Sequence, residues 1–297
     1  MPLLLEVRQS CAQIAEAATD VIIDRDAFES LSELGPVGTP ALDEHCHHLS
    51  GSPSEVADYM LALDAINFGS GWFPLLSKAT LRGRQLSGCL TVALRLADHV
   101  RAGGAITPAW LRSITTEQIA QILRQSPSLE LISLYAQALR SLGRFLGDRR
   151  ALDLVSEANG SAERFAGMLT AGMPMFADVG FYKRAQIAAH DLQLAGVASF
   201  HDIDELTIFA DNLVPHVLRV SGVLRYSERL ASQIDSGGLL PLGGLERQIR
   251  ACALHACELI SKQSGLPPRI IDNWLWNCGQ QPHFKAKPRH RCRCVFY

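Results

Sequence analysis

Apolar residues recur at steps of three and four along most of the chain, the spacing that gathers them on one face of a helix. Val7, Cys11, Ile14, Ala18, Val21 and Ile22 predict an amphipathic helix over 7–23. Ser52 or Ser54 caps the next, which runs from Glu55 through Asn67. Leu86, Leu90, Ala93, Leu94 and Ala97 make one stripe, and Leu131, Leu134, Tyr135, Ala138 and Leu142 another. The segment 81–146 therefore reads as successive helices with connectors at 102–104 and 126–127, and with Thr107 and Thr115 as caps. Helices are also expected from Phe181 to Leu192 and from Glu246 to Lys262. Only 289–296 alternates like an extended chain, with Arg289, Arg291 and Arg293 opposite Cys292, Cys294 and Phe296. The expected fold is all-α, a single multi-helix globular domain over 1–297 with an extended basic C-terminal tail.

The stretch 200–227, FHDIDELTIFADNLVPHVLRVSGVLRYS, breaks the ordinary pattern by placing carboxylates on an apolar segment. Ile203, Leu206, Ala210, Leu213, Val214 and Val217 mark a buried helical face, and Asp202 with Glu205 fits a capping box. Asp204 and Asp211 are left over. Pro215 offers no N–H to the carbonyl four residues earlier, so the helix breaks there and Asp211 falls at the junction. An ion pair with Arg219 or a cap on the next helix would give Asp211 a structural use.

Two further stretches carry polar groups among aromatics. In LDAINFGSGWFP, over 63–74, Gly69 and Gly71 stop a helix and allow close backbone approach, while Phe68, Trp72 and Phe73 supply flat apolar faces. Asp64 and Asn67, three apart, share the preceding turn. Lys183 and Arg184 open the helix after Gly180, where cations oppose the macrodipole, so either an anionic ligand or a carboxylate holds them or they are ordinary surface charges. The loop over 235–244 is Gly-rich but lacks the Lys-Ser/Thr of a nucleotide phosphate loop. IIDNWLW, over 270–276, sets Asp272 among tryptophans.

Composition narrows the classes. The 297 residues are 47% hydrophobic, and 28 Lys and Arg nearly balance 30 Asp and Glu, so no global charge favours a long nucleic-acid interface. The imbalance is local: Lys285, Lys287, Arg289, Arg291 and Arg293, with His283 and His290, occupy a segment free of acids and suit an anion site. No apolar run approaches membrane-spanning length, and Glu6 and Arg8 come too early for a signal-peptide core, so a cytoplasmic location is expected. Eight cysteines without a C-x-x-C pair suit reduced thiols, and neither Cys46 with His45, His47 and His48 nor Cys292 and Cys294 with His290 matches a zinc spacing. Neither a metal nor another cofactor is expected.

Taken in order, LDAINFGSGWFP, FADVGFYKRAQI, the 200–227 stretch, IDNWLW and the terminal HRCRCVFY are similar to the queuosine salvage protein family, with weaker similarity from VRQSCAQIAEAATDVII onward. Members with a eukaryotic-type pattern usually read closer to NFCFWP and FADYRVPQ where this chain has NFGSGWFP and FADNLVPH. The resemblance implies a helical domain distantly similar to DNA glycosylases. It also implies hydrolysis of the N-glycosidic bond of queuosine 5′-phosphate, a small-molecule substrate, with release of queuine for tRNA modification. Asp211, in the FAD-x-x-V-P motif, is then the catalytic carboxylate. Asp64, Asn67, Phe68, Trp72 and Asp204 are expected to hold the base and its cationic side arm, and Lys183, His290, Arg291 and Arg293 the phosphate. No stable nucleic-acid complex is expected. The alternative from another class is a non-catalytic nucleotide- or tRNA-binding helical module, which gives Asp211 no task.

Overall fold

Capping chemistry places many of the helices in the computed structural model, which describes residues 2–297. Ser52 and Glu55 form a reciprocal capping box that starts the helix Pro53–Ala65, and Thr115 with Gln118 does the same for Thr116–Leu123. Thr107 accepts from the Trp110 N–H ahead of Pro108–Ser113. These helices pack with Gly88–Arg101, Glu130–Leu146, Ala162–Gly172 and Lys183–Leu194 around one hydrophobic core. A second core gathers Leu3–Ala17, Val214–Val220, Gly244–Ser264 and Pro268–Cys278. The architecture is α-helical, as the periodicity predicts.

The strands are small. The helix expected over 7–23 stops at Ala17, and Val21–Ile23 pairs antiparallel with Leu224–Tyr226, Val21 opposite Tyr226 and Ile23 opposite Leu224. A second short pair, Thr80–Leu81 with Arg84–Gln85, forms a hairpin ahead of Gly88–Arg101.

The larger correction lies between the two cores. Residues 206–210 are not helical: Leu206 and Phe209 bury into the first core while Ile208 and Ala210 bury into the second. The segment is a strut whose side chains face both ways, so apolar positions in sequence imitate a helical face without forming one. Only Ile203–Glu205 takes a 3₁₀ turn. Asp202 does cap a helix, but a distant one: its carboxylate accepts from Ser161 Oγ at 2.6 Å and the Ala162 N–H at 2.6 Å, at the start of Ala162–Gly172. Glu205 makes no capping bond to Asp202 through its side chain. Pro215 sits in the first turn of Val214–Val220, where its missing N–H costs nothing.

The tail residues from 286 onward run across the seam between the cores. The Leu240 N–H donates to the Arg291 carbonyl at 2.8 Å, Asn212 Nδ2 to the His290 carbonyl at 3.0 Å, and the Gly69 N–H to Tyr297 O at 2.9 Å. Tyr297 is 2% exposed, so the aromatic end is pinned as expected. Gly71 explains the Gly-rich turn on the other side of this contact: a Cβ there would lie 2.4 Å from the Cys292 carbonyl oxygen. No helix among the described residues is long and apolar enough to cross a membrane.

Candidate active site

The seam opens into a cavity of about 830 Å³, within the range of small-molecule sites. One face of Lys183–Leu194 lines it through Lys183, Ile187, His190 and Asp191, which recur at helical spacing. Asn67 and Phe68, just past the end of Pro53–Ala65, line it beside Tyr135, whose hydroxyl donates to the Phe68 carbonyl at 2.8 Å. Phe209 and Asp211 enter from the strut, Asp272 and Trp276 from Pro268–Cys278. Lys285, Lys287, Arg289 and Arg291 complete the wall.

Asp211 is held by its own chain. Its Oδ1 accepts from the Leu213 N–H at 2.6 Å and the Val214 N–H at 3.1 Å, which caps Val214–Val220. Oδ2 has no protein partner among the described residues. Arg219 pairs instead with Asp235. Behind the strut, the buried Arg250 donates through Nε to the Ala210 carbonyl at 2.8 Å, one residue from Asp211, and pairs with Asp178 and Glu246. One carboxylate can therefore cap a helix through Oδ1 and still present Oδ2 to the cavity.

The charges divide into two sets, with Asp211 felt by both. Asp64, Asp191 and Asp272 form the acidic set. Asp64 is fully buried behind Asn67 with neither oxygen hydrogen-bonded, and burial, then the Asp191 charge, pushes its carboxyl well up. Burial raises Asp191 too, against the pull of Lys183. Asp272 is pushed up to about 8 by burial and then by the charge of Asp211, while its Oδ1 accepts from the Phe209 N–H at 2.8 Å. The basic set lies on the tail, where burial lowers Arg289 and the Asp211 charge opposes that shift. One side of the cavity thus suits hydrogen-bond donors and cations, and another suits an anion.

Of the residues singled out in the sequence, Asp211, Asn67, Phe68, Lys183 and Arg291 meet at the cavity, with Asp64 directly behind it. Lys183 belongs to the acidic set, since Asp64, Asp191 and Asp272 all feel its charge, and its Nζ donates to the Asn67 carbonyl at 3.4 Å. Four residues lie elsewhere. Asp204 is exposed and ion-paired with Arg269 at 2.6 Å. Trp72 donates through Nε1 to Glu130 at 2.9 Å, and the exposed Arg293 lies over its ring at 5.9 Å. His290 is buried against Tyr297, and burial pushes its imidazole down to about 3, so it offers no cation. Arg184, the other cation at the start of Lys183–Leu194, makes its hydrogen bonds to backbone carbonyls and none to a carboxylate. It donates to the Ala65 carbonyl at 2.6 Å, where the end of Pro53–Ala65 presents a negative dipole, and it is sandwiched between Phe68 and Phe176.

Sequence reasoning passed over Asp191 and His190 as site residues, placed Lys285, Lys287 and Arg289 in a segment suited to an anion without assigning them to the phosphate, and noted Asp272 without a role. The signal for the cations was present, because the odd-numbered alternation of 289, 291 and 293 continues back through 287 and 285. His190 is pushed down to about 4 by burial and then by the Arg269 charge, leaving a neutral ring against Phe209. No cluster of three or more His, Cys, Asp or Glu able to hold a metal ion occurs among the described residues.

The family model described as queuosine salvage protein matches residues 47–297, which include every cavity residue above. A protein of Sphaerobacter thermophilus named queuosine 5′-phosphate N-glycosylase/hydrolase is 31% identical over 99% of this chain and 98% of its own length. Proteins of the same name from Bos taurus and Mus musculus are 27% and 26% identical, each over 99% of both chains. By the extent of these matches, the chain belongs to the queuosine salvage protein family.

Proposed function

We propose that this protein hydrolyses the N-glycosidic bond of queuosine 5′-phosphate, giving queuine and ribose 5-phosphate, with Asp211 as the catalytic carboxylate. The observation that carries the reading is the position of Asp211: one oxygen is fixed by two amides, the other is free, and it stands between an acidic and a basic wall. As the C1′–N bond lengthens, positive charge grows on the ribose, and a fixed carboxylate stabilises that charge more than the neutral ground state. The same carboxylate orients the water that adds to C1′.

The walls match the two ends of the substrate. A 7-deazaguanine edge presents N–H donors and its side arm carries a secondary ammonium, partners for Asn67 and the Asp64–Asp191 pair. Phe68, Phe209 and Trp276 supply apolar faces for the heterocycle. Lys285, Lys287, Arg289 and Arg291 receive the 5′-phosphate, and the position of Lys183 among carboxylates turns it from the phosphate towards the base end. The whole chain, 1–297, acts as one domain in this reading, since both cores contribute walls to the cavity. Incubation with queuosine 5′-phosphate, followed by chromatography, tests it: queuine and ribose 5-phosphate should appear in equal amounts. Binding without either product would leave only a nucleotide-binding module.

A further inference from the structure

A 7-deazaguanine lacks the imidazole nitrogen that an ordinary purine offers for protonation, so a glycosylase acting on it needs another route to neutralise the departing base. Asp272 occupies the position such a route requires. It lies on Pro268–Cys278, lines the cavity and is 6% exposed. Its Oδ1 is fixed by the Phe209 N–H, two residues before Asp211. The single stretch 209–214 thus orients both carboxyl groups, Asp272 through the Phe209 N–H and Asp211 through the Leu213 and Val214 N–H groups, and Oδ2 of Asp272 has no protein partner among the described residues.

The two carboxyl groups sit in different environments. Asp211 is half-buried and receives two amide hydrogen bonds on one oxygen; Asp272 is buried and receives one. Around Asp272 stand Asp211 and Asp191 across the cavity, Lys183 from Lys183–Leu194, and the buried thiol of Cys257 from Gly244–Ser264. His190, neutral in its apolar setting, lines the same cavity and has no proton to spare near neutrality. Burial also raises Asp64 and Asp191, but the strongest charges acting on Asp64 are those of Asp191 and Lys183, and the one that acts on Asp191 is Lys183, whereas Asp272 feels Asp211 as the strongest of its neighbouring charges.

Resting on the glycosylase reading above, we infer that Asp272 is the general acid that protonates the departing base. The C1′–N9 bond breaks with its electron pair passing to the base, and the Asp272 proton goes to N3, the ring acceptor two bonds from N9. Water supplies hydroxide to C1′, and its proton restores Asp272 through Asp211 or solvent. The balance is one water consumed, one base and one sugar phosphate released. Because Asp272 must hold its proton, activity falls as pH rises through about 8.

Two substrates separate this role from a structural one. Queuosine 5′-phosphate needs the acid; 4-nitrophenyl β-D-ribofuranoside 5-phosphate does not, because nitrophenolate leaves without a proton. Asp272→Asn keeps an oxygen for the Phe209 N–H. It should lower kcat/KM for queuosine 5′-phosphate by roughly 10²–10⁴-fold and abolish the basic limb of its pH profile, while nitrophenol release stays within about threefold of wild type. Equal losses on both substrates, or a basic limb that survives in Asp272→Asn, overturn the inference while leaving the glycosylase reading intact. Should that variant fail to fold, the wild type decides: a basic limb near pH 8 for queuosine 5′-phosphate and none for the nitrophenyl substrate supports the role, and matching profiles overturn it. A wild type that releases no queuine sinks the glycosylase reading and this inference together.

Discussion

Replacing Arg250 by methionine separates what the buried ion cluster does for stability from what it does for the site. Arg250 is 1% exposed, and its guanidinium lies 3.9 Å from the Phe181 ring centroid and 4.5 Å from that of Tyr297. Burial works against its charge, but Asp178 and Glu246 outweigh that and hold it cationic. Arg250→Met preserves much of the stacking volume and leaves Asp178 and Glu246, 5% and 1% exposed, without their ion-pair partner. Orphaning buried acids in this way costs about 3–5 kcal/mol. An unfolding entropy of about 2.1 cal/mol/K per residue, over 297 residues, converts that loss into a melting temperature lower by about 5–8 °C. The triple variant Arg250→Met, Asp178→Asn, Glu246→Gln removes the orphaned charges and should recover most of the loss. Neither variant restores the Nε hydrogen bond to the Ala210 carbonyl, so both should stay impaired in kcat. Thermal unfolding followed by circular dichroism, with kcat/KM on the same preparations, reads both quantities. A single variant that melts within about 1 °C of wild type, or a triple variant that melts no higher than the single, refutes the reasoning.

Asp64→Asn should stabilise the protein. The Asp64 carboxyl is raised in the folded state, so the stability present below the ordinary carboxylate range is lost as pH rises towards neutrality and beyond. Asparagine does not ionise. The variant should therefore be more stable than wild type by a margin in unfolding free energy that widens from pH 5 to pH 8, reaching about 1–3 kcal/mol, and a margin independent of pH would contradict the assignment. Arg289→Ala should raise KM for queuosine 5′-phosphate by roughly 10–100-fold with kcat little changed, the loss of one charge-assisted contact. Steady-state kinetics on the unphosphorylated nucleoside supply the control, which should not change.

Local signals made much of the helical framework legible. Ser52, one of two candidate caps, Thr107 ahead of Pro108, Thr115, and Pro215 at a helix start are each read from a few adjacent residues, and the structure uses each of them so, adding Glu55 and Gln118 as capping-box partners. Long-range features were not legible. Val21–Ile23 continues the apolar spacing of the first helix, and only its partner some 200 residues later makes it a strand. Leu206, Ile208, Phe209 and Ala210 are apolar because the strut touches two cores, which no single helical period describes. Asp202 and Asp204 share one turn yet go to a distant helix cap and a surface ion pair, choices set by Ser161 and Arg269. Asp191 reads as an ordinary polar residue in AAHDLQ, and its burial beside Asp64 and Lys183 appears only when the helices pack.

Asp211→Asn beside the wild type, assayed for queuine released from queuosine 5′-phosphate, bears most directly on the catalytic assignment. The amide oxygen still accepts from the Leu213 and Val214 N–H groups, so the helix cap and melting temperature should persist while the charge beside the ribose is lost. Queuine release should fall by roughly 10²–10⁴-fold in the variant. An Asp211→Asn protein that releases queuine as fast as the wild type contradicts the assignment.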